Sequence, residues 1–136
     1  MDDKLLATLI GIGSGFVGYF VTTFWMRPIL RYLEIKEQVT SDLIFYSNVI
    51  NADGLNDMMK KRMWARVEAD RRHSADFTAC YLNLPCWYRK WLIYRGESPE
   101  IASNHLMGLS NTFDHMAAAD RVDKIKAALR LKTDVL

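Results

Sequence analysis

Arg66 and His73 are the two side chains whose types and spacing best suit acid–base chemistry. Six residues separate them, so on a helix they stand two turns apart on one face. A histidine there acts as acid or base near neutral pH, and an arginine stabilises charge developing on a phosphate. The remaining groups of this kind do not assemble. His73, His105, His115, Cys80 and Cys86 contain no C-x-x-C or H-x-x-x-H pair, so no metal is expected and no cofactor is implied. There is no G-x-S-x-G elbow, no P-loop and no convincing pair of carboxylates. These readings favour a protein that is not an enzyme and point to no small-molecule substrate.

The Arg66–His73 spacing is similar to the R-x(4–6)-H spacing of helical HEPN-type ribonucleases. The resemblance covers these two positions alone, and the polar residue that usually follows the arginine is Val67 here. It implies a helical ribonuclease in which His73 moves the proton and Arg66 meets the phosphate.

Gly13-Ser14-Gly15-Phe16-Val17-Gly18 matches G-x-G-x-x-G, the phosphate-binding turn of a dinucleotide fold. Leu5–Ile12 would then be the first strand, and Glu34 or Glu37 the ribose-binding acid. Two facts argue against it. The helix after the glycines, Phe16–Met26, has no polar face, and no strand–helix alternation follows.

A membrane span explains the same residues. Leu5–Met26 is a run of 22 residues without a charge. At about 1.5 Å per residue it reaches about 33 Å, enough for a hydrocarbon core of about 30 Å. Phe24 and Trp25 fall where an interfacial aromatic belt lies. The leading Met-Asp-Asp-Lys is acidic, the apolar run is long, and no small-x-small site precedes Arg27, so an uncleaved anchor is expected rather than a signal peptide. Lys4 stands alone beside Asp2 and Asp3, whereas Arg27, Arg31 and Lys36 follow the span. The positive-inside rule then puts the C-terminal part in the cytoplasm, single-pass in the inner (plasma) membrane. Ala7, Gly11, Gly15, Gly18 and Thr22 form a small-residue stripe on this helix, with Gly11 and Gly15 in a GxxxG match. Such stripes let two helix backbones approach closely in lipid.

The elements that must position Arg66 and His73 read as helices. Anchor residues 1–28 precede a helical domain over 29–136. Residues 27–136 carry 17 basic and 14 acidic side chains, too even a balance for a nucleic-acid footprint, so nucleic acid is not an expected partner. Ile29, Tyr32, Ile35, Val39, Leu43, Tyr46 and Ile50 recur every three or four residues and predict a helix over 29–50. Pro28 predicts a kink or break before it. Asn51-Ala52-Asp53-Gly54 reads as a turn. A second helix is expected from Asn56 or Asp57, with Met59, Met63, Val67, Ser74, Phe77 and Tyr81 near one face. Pro85 in a first turn and Gly96 at a stop bound a third. Ser98-Pro99 opens a fourth with Ala102, Leu106, Leu109 and Phe113 inward. Asp114 caps a last helix with Ala118, Val122, Ile125 and Leu129 on one stripe. The fold class is all-α: one N-terminal transmembrane helix and a four- to five-helix domain.

Two further stretches stand out. Lys60, Lys61, Arg62, Arg66, Arg71 and Arg72 form a basic patch, interleaved with Asp57, Glu68 and Asp70, and read as a solvated face with contact to anionic lipid as the alternative. Pro85–Arg95 holds four aromatics and three cations in 11 residues. Core packing is the favoured reading, with Arg89 and Lys90 outward. The other reading puts Trp87, Tyr88, Arg89, Lys90, Trp91 and Tyr94 at a membrane interface with Trp25, Arg27 and Arg31. Cys80 and Cys86 are expected as free thiols packed like small apolar residues.

The favoured function is a non-enzymatic single-span membrane protein. Its helical domain would bind another protein, as an oligomeric scaffold, adaptor or complex subunit, with the bilayer and a second copy or partner membrane protein as its contacts. The layout is shared by many small bacterial proteins. The alternatives are a membrane-disrupting effector or toxin of a defence or toxin–antitoxin system, and a membrane-tethered HEPN-like ribonuclease.

Overall fold

A computed structural model describes residues 2–47 and 56–131, and within them every regular element is a helix. The chain opens with α1 (Asp3–Val21), runs through a π-helical turn (Thr22–Met26), and continues as α2 (Arg27–Phe45). These three pieces make one helix of 43 residues, long and apolar enough to cross a membrane, and no residue of its apolar window is buried. Four further helices follow: α3 (Asp57–Asn83), α4 (Cys86–Arg95), α5 (Pro99–Ser110) and α6 (His115–Leu129).

Of the kink or break expected at Pro28, the break does not occur, and the reason is local. Proline has no N–H to give the carbonyl four residues back, and its ring crowds that carbonyl. The wide turn at Thr22–Met26 absorbs the misfit, and the Arg27 N–H reaches back five residues to the Thr22 carbonyl. The helix therefore passes from the apolar segment into the bundle without an interruption of helical structure.

Most predicted ends hold their predicted caps. Asn56 accepts a hydrogen bond from the Met59 N–H at 2.8 Å, Ser98 from Ile101 and Asp114 from Ala117. Gly96 closes α4 in the left-handed region, at φ 77°. Three expectations need correction. Pro85 precedes α4 as its extended cap instead of lying in the first turn. The first bundle helix stops at Phe45, short of the predicted 50; Ile50 and the turn at 51–54 lie outside the described residues. Phe113 is not inward. It lies beyond the end of α5, where helical spacing no longer directs it, and its ring meets Trp64 at the surface, 6.4 Å between centroids.

Contacts along the helices give the topology. Pro28 and Cys80 are neighbours at one end of α2 and α3, and Asp42 and His73 meet farther along, so the two run antiparallel. Ser74 pairs with Ser103 and Arg66 with the Leu109 carbonyl, so α5 runs antiparallel to α3. The Ser98 N–H donates to the Ala128 carbonyl, which brings the end of α6 back to the start of α5. α2, α3, α5 and α6 thus form an up-and-down bundle. α4 sits at the end from which α1 leaves. The core draws on every helix but α1, with Tyr32, Ile35 and Val39 of α2 against Phe77, Leu92, Leu106, Ile125 and Leu129. Side chains of this size each contribute about 2 kcal/mol on full burial.

Nothing described lies within 4 Å of a side chain built on Gly96, so its backbone alone demands glycine. Gly96→Ala is therefore expected to cost about 1 kcal/mol, and Asn56→Ala a similar amount through the lost cap. Denaturant unfolding of each variant checks both.

Candidate functional site

The residues spaced for chemistry are buried, and burial decides what they do. Arg66 is 2% exposed and Asp70, one turn on, 3%. The Arg66 guanidinium bonds Asp70 at 3.2 Å and donates to the Leu109 and Thr112 carbonyls at 3.1 and 3.2 Å. Leu109 lies in the last turn of α5, where its carbonyl also accepts from the Thr112 N–H, and Thr112 lies two residues past the helix end. Arg66 thus caps the end of α5 from inside the bundle. This corrects its place in the basic patch. One guanidinium nitrogen, Nε, has no partner among the described residues.

His73 stands on the same face, also buried, but its partner is on another helix. Its Nε2 lies 2.5 Å from the Asp42 carboxylate of α2. Its Nδ1 has no partner among the described residues. Asp42 and His73 line the mouth of a cleft of about 420 Å³ between α2 and α3, with Gln38, Ser41, Glu68 and Arg72. The carboxylate–imidazole pair has the form of a base held by an orienting acid. Arg66 bonds Asp70 and α5 whereas His73 meets Asp42 of α2, so the two members of the Arg66–His73 motif make different helix contacts.

Asp42 and Asp70 also face each other across a small cavity with Tyr46 and Ser47 at its edge. Burial, reinforced by the negative charge of Asp42, pushes the Asp70 carboxyl up to about 7 against the pull of Arg66. Burial likewise lowers the Arg66 guanidinium.

A second polar cluster lies at the α4 end. Glu97, 3% exposed, accepts hydrogen bonds from the Tyr32 hydroxyl at 3.0 Å and the Lys36 ammonium at 2.9 Å. The Arg95 guanidinium is 3.6 Å away. Burial first, then the Glu97 charge, holds the Tyr32 phenol well above its ordinary range. The cluster ties α2 to the α4–α5 connection.

The rest of the basic patch is on the surface. Lys60, Lys61 and Arg62 are exposed. Arg72 pairs with Glu68 at 3.5 Å, and Arg71 reaches Asn111 at 3.1 Å. Exposed pairs of this kind contribute well under about 1 kcal/mol. Beside them Trp64 and Phe113 form an exposed aromatic pair.

Ala7, Gly11, Gly15, Gly18 and Thr22 are all exposed on the N-terminal helix. Nothing described lies within 4 Å of a side chain placed on any of its four glycines. Phe16, Phe20 and Phe24 make a ridge on the other side, roughly half a turn away at about 100° per residue.

The aromatic helix divides its side chains between the core and the surface. Tyr88 and Leu92 enter the core, while Trp87, Lys90, Trp91 and Tyr94 stay exposed. Arg89 turns in, against expectation: it donates to the Leu82 and Leu84 carbonyls at the end of α3 and covers the Tyr81 ring. Trp87 meets Trp25, the last aromatic of the apolar segment, at 6.1 Å between centroids. Arg27 is exposed, and Arg31 pairs with Glu34. Cys80 packs in the core, where burial raises its thiol, but Cys86 is exposed and so departs from the apolar role expected of it.

Sequence reading missed Asp42, Asp70, Glu97 and the Tyr32–Lys36 pair. Asp70 had a signal, standing four residues after Arg66 on one face. Asp42 and Glu97 had none, because their partners are 31 to 65 residues away. No family model, curated protein or solved structure matches the chain.

Replacing Arg66 with Leu strips Asp70 and two carbonyls of their donor and is expected to cost about 3 kcal/mol or more. The double change Arg66→Leu with Asp70→Leu should recover part of it, as read by denaturant unfolding. Folded Asp70 keeps a proton up to about pH 7 that unfolded Asp loses near about pH 4. Its contribution to stability is therefore greatest below about pH 4 and falls as pH rises to about 7. The difference between wild type and Asp70→Asn isolates this slope from His73 and Asp42. A difference that stays flat across that window contradicts the assignment.

Proposed function

We propose that this is a single-span membrane protein whose helical bundle binds another protein, as an oligomeric scaffold, adaptor or subunit of a membrane complex. The observation that carries the reading is the 22-residue uncharged segment on a helix with no buried residue in its apolar window. That much unpaired apolar surface needs a solvent other than water. A cytoplasmic bundle on an inner-membrane span is the orientation favoured by Arg27, Arg31 and Lys36 on the bundle side, against Lys4 with two acids on the other.

A non-enzymatic role is supported by the bonds that hold the Arg66 guanidinium to Asp70 and to α5. Self-association through the small-residue stripe is supported by the open space around Gly11 and Gly15. A protein partner on the bundle is supported by the exposed Trp64–Phe113 pair, since aromatic side chains are enriched at protein interfaces.

The full chain is expected to require detergent and to run as an oligomer in mild detergent by light scattering. Gly11→Leu with Gly15→Leu should shift it toward monomer without altering its helix content. A soluble monomer from the unaltered chain would sink the reading. Growth arrest and dye leakage on expression would instead favour the effector alternative.

A further inference from the structure

The inward side of α4 is accounted for by the bundle, and its outward side is not. Tyr88 and Leu92 are buried. Trp87, Lys90, Trp91 and Tyr94 share the other side, within an arc of about 100°. Trp87 is 51% exposed, Trp91 41% and Tyr94 88%. Such side chains join an apolar body to a polar tip, and the place that satisfies both is a boundary between hydrocarbon and water.

Three observations say what covers this face. Trp87 touches Trp25, so α4 begins at the depth where the uncharged segment ends. Cations accompany the rings: Lys90 shares the arc, the Arg95 guanidinium lies 4.6 Å from the Trp91 ring centre, and Arg27 follows Trp25 by two residues. The arc also cannot roll away, because Arg89 is bonded to the end of α3 and Glu97, just past α4, is held by Tyr32 and Lys36.

We propose that the Trp87–Lys90–Trp91–Tyr94 face of α4 lies in the headgroup layer of the bilayer that α1 crosses, with phospholipid as its occupant. The inference rests on the reading of α1 as a span. It adds that the bundle does not swing on its anchor. α4 seats it on the membrane in one attitude, with the basic start of α3 and the Trp64–Phe113 pair at the far end.

The test uses the full chain in vesicles of phosphatidylcholine and phosphatidylglycerol. Four variants each keep one of Trp25, Trp64, Trp87 and Trp91, the other three changed to Phe, and folding is checked by circular dichroism. Quenching by lipids brominated high on the acyl chain reports depth. Trp25, Trp87 and Trp91 are expected to be quenched at least about threefold more than Trp64. Tyr94→Glu, at an exposed position with no packing to lose, should roughly halve the quenching of Trp91. Quenching of Trp25 alone overturns the proposal and leaves the span intact. Absence of quenching at Trp25 as well overturns both. Blue-shifted emission from Trp87 and Trp91 without quenching overturns it in favour of a second protein chain on that face.

Discussion

A proline in a helix normally leaves a carbonyl unpaired and bends the axis, yet the helix through Pro28 runs on for 43 residues. The π-helical turn at Thr22–Met26 makes this possible by moving the misfit to the residues before the proline. Everything downstream depends on that continuity. The second half of the helix supplies Tyr32, Ile35 and Val39 to the core, so the apolar segment and one wall of the bundle belong to the same helix.

Two buried ionic groups then fix how the other helices dock on α2. Near the apolar segment, Glu97 gathers Tyr32 and Lys36. Farther along, Asp42 meets His73, and Asp70 with Arg66 closes the end of α5. Buried charges contribute less to net stability than to specificity, because each must be desolvated and leaves a large penalty if its partner is misplaced. In a bundle of short helices with similar apolar stripes, these clusters distinguish one register from its neighbours. The same burial commits Arg66 to partners that its spacing to His73 does not suggest.

α4 shows how one short helix serves two environments. Its rotation is set by Tyr88, Leu92 and Arg89 on the bundle side, which leaves two tryptophans and a tyrosine outward beside Trp25. The sequence alone cannot divide these aromatics. Pro85–Arg95 is aromatic and cationic around its whole circumference, so periodicity carries little information there.

The sequence by itself determined the helical class, the apolar segment, the caps at Asn56, Ser98 and Asp114, the stop at Gly96, and most inward positions of α2, α5 and α6. These are local properties: side-chain oxygens reach an N–H three residues on, and apolar spacing reports one helix at a time. Tertiary structure decided the rest. It turned Arg66 from a surface cation into a buried cap, drew Arg89 inward, left Phe113 and Cys86 at the surface, and carried the helix through Pro28. Each outcome depends on groups far along the chain or on how a whole helix relieves strain. Spacing within a single segment does not encode either.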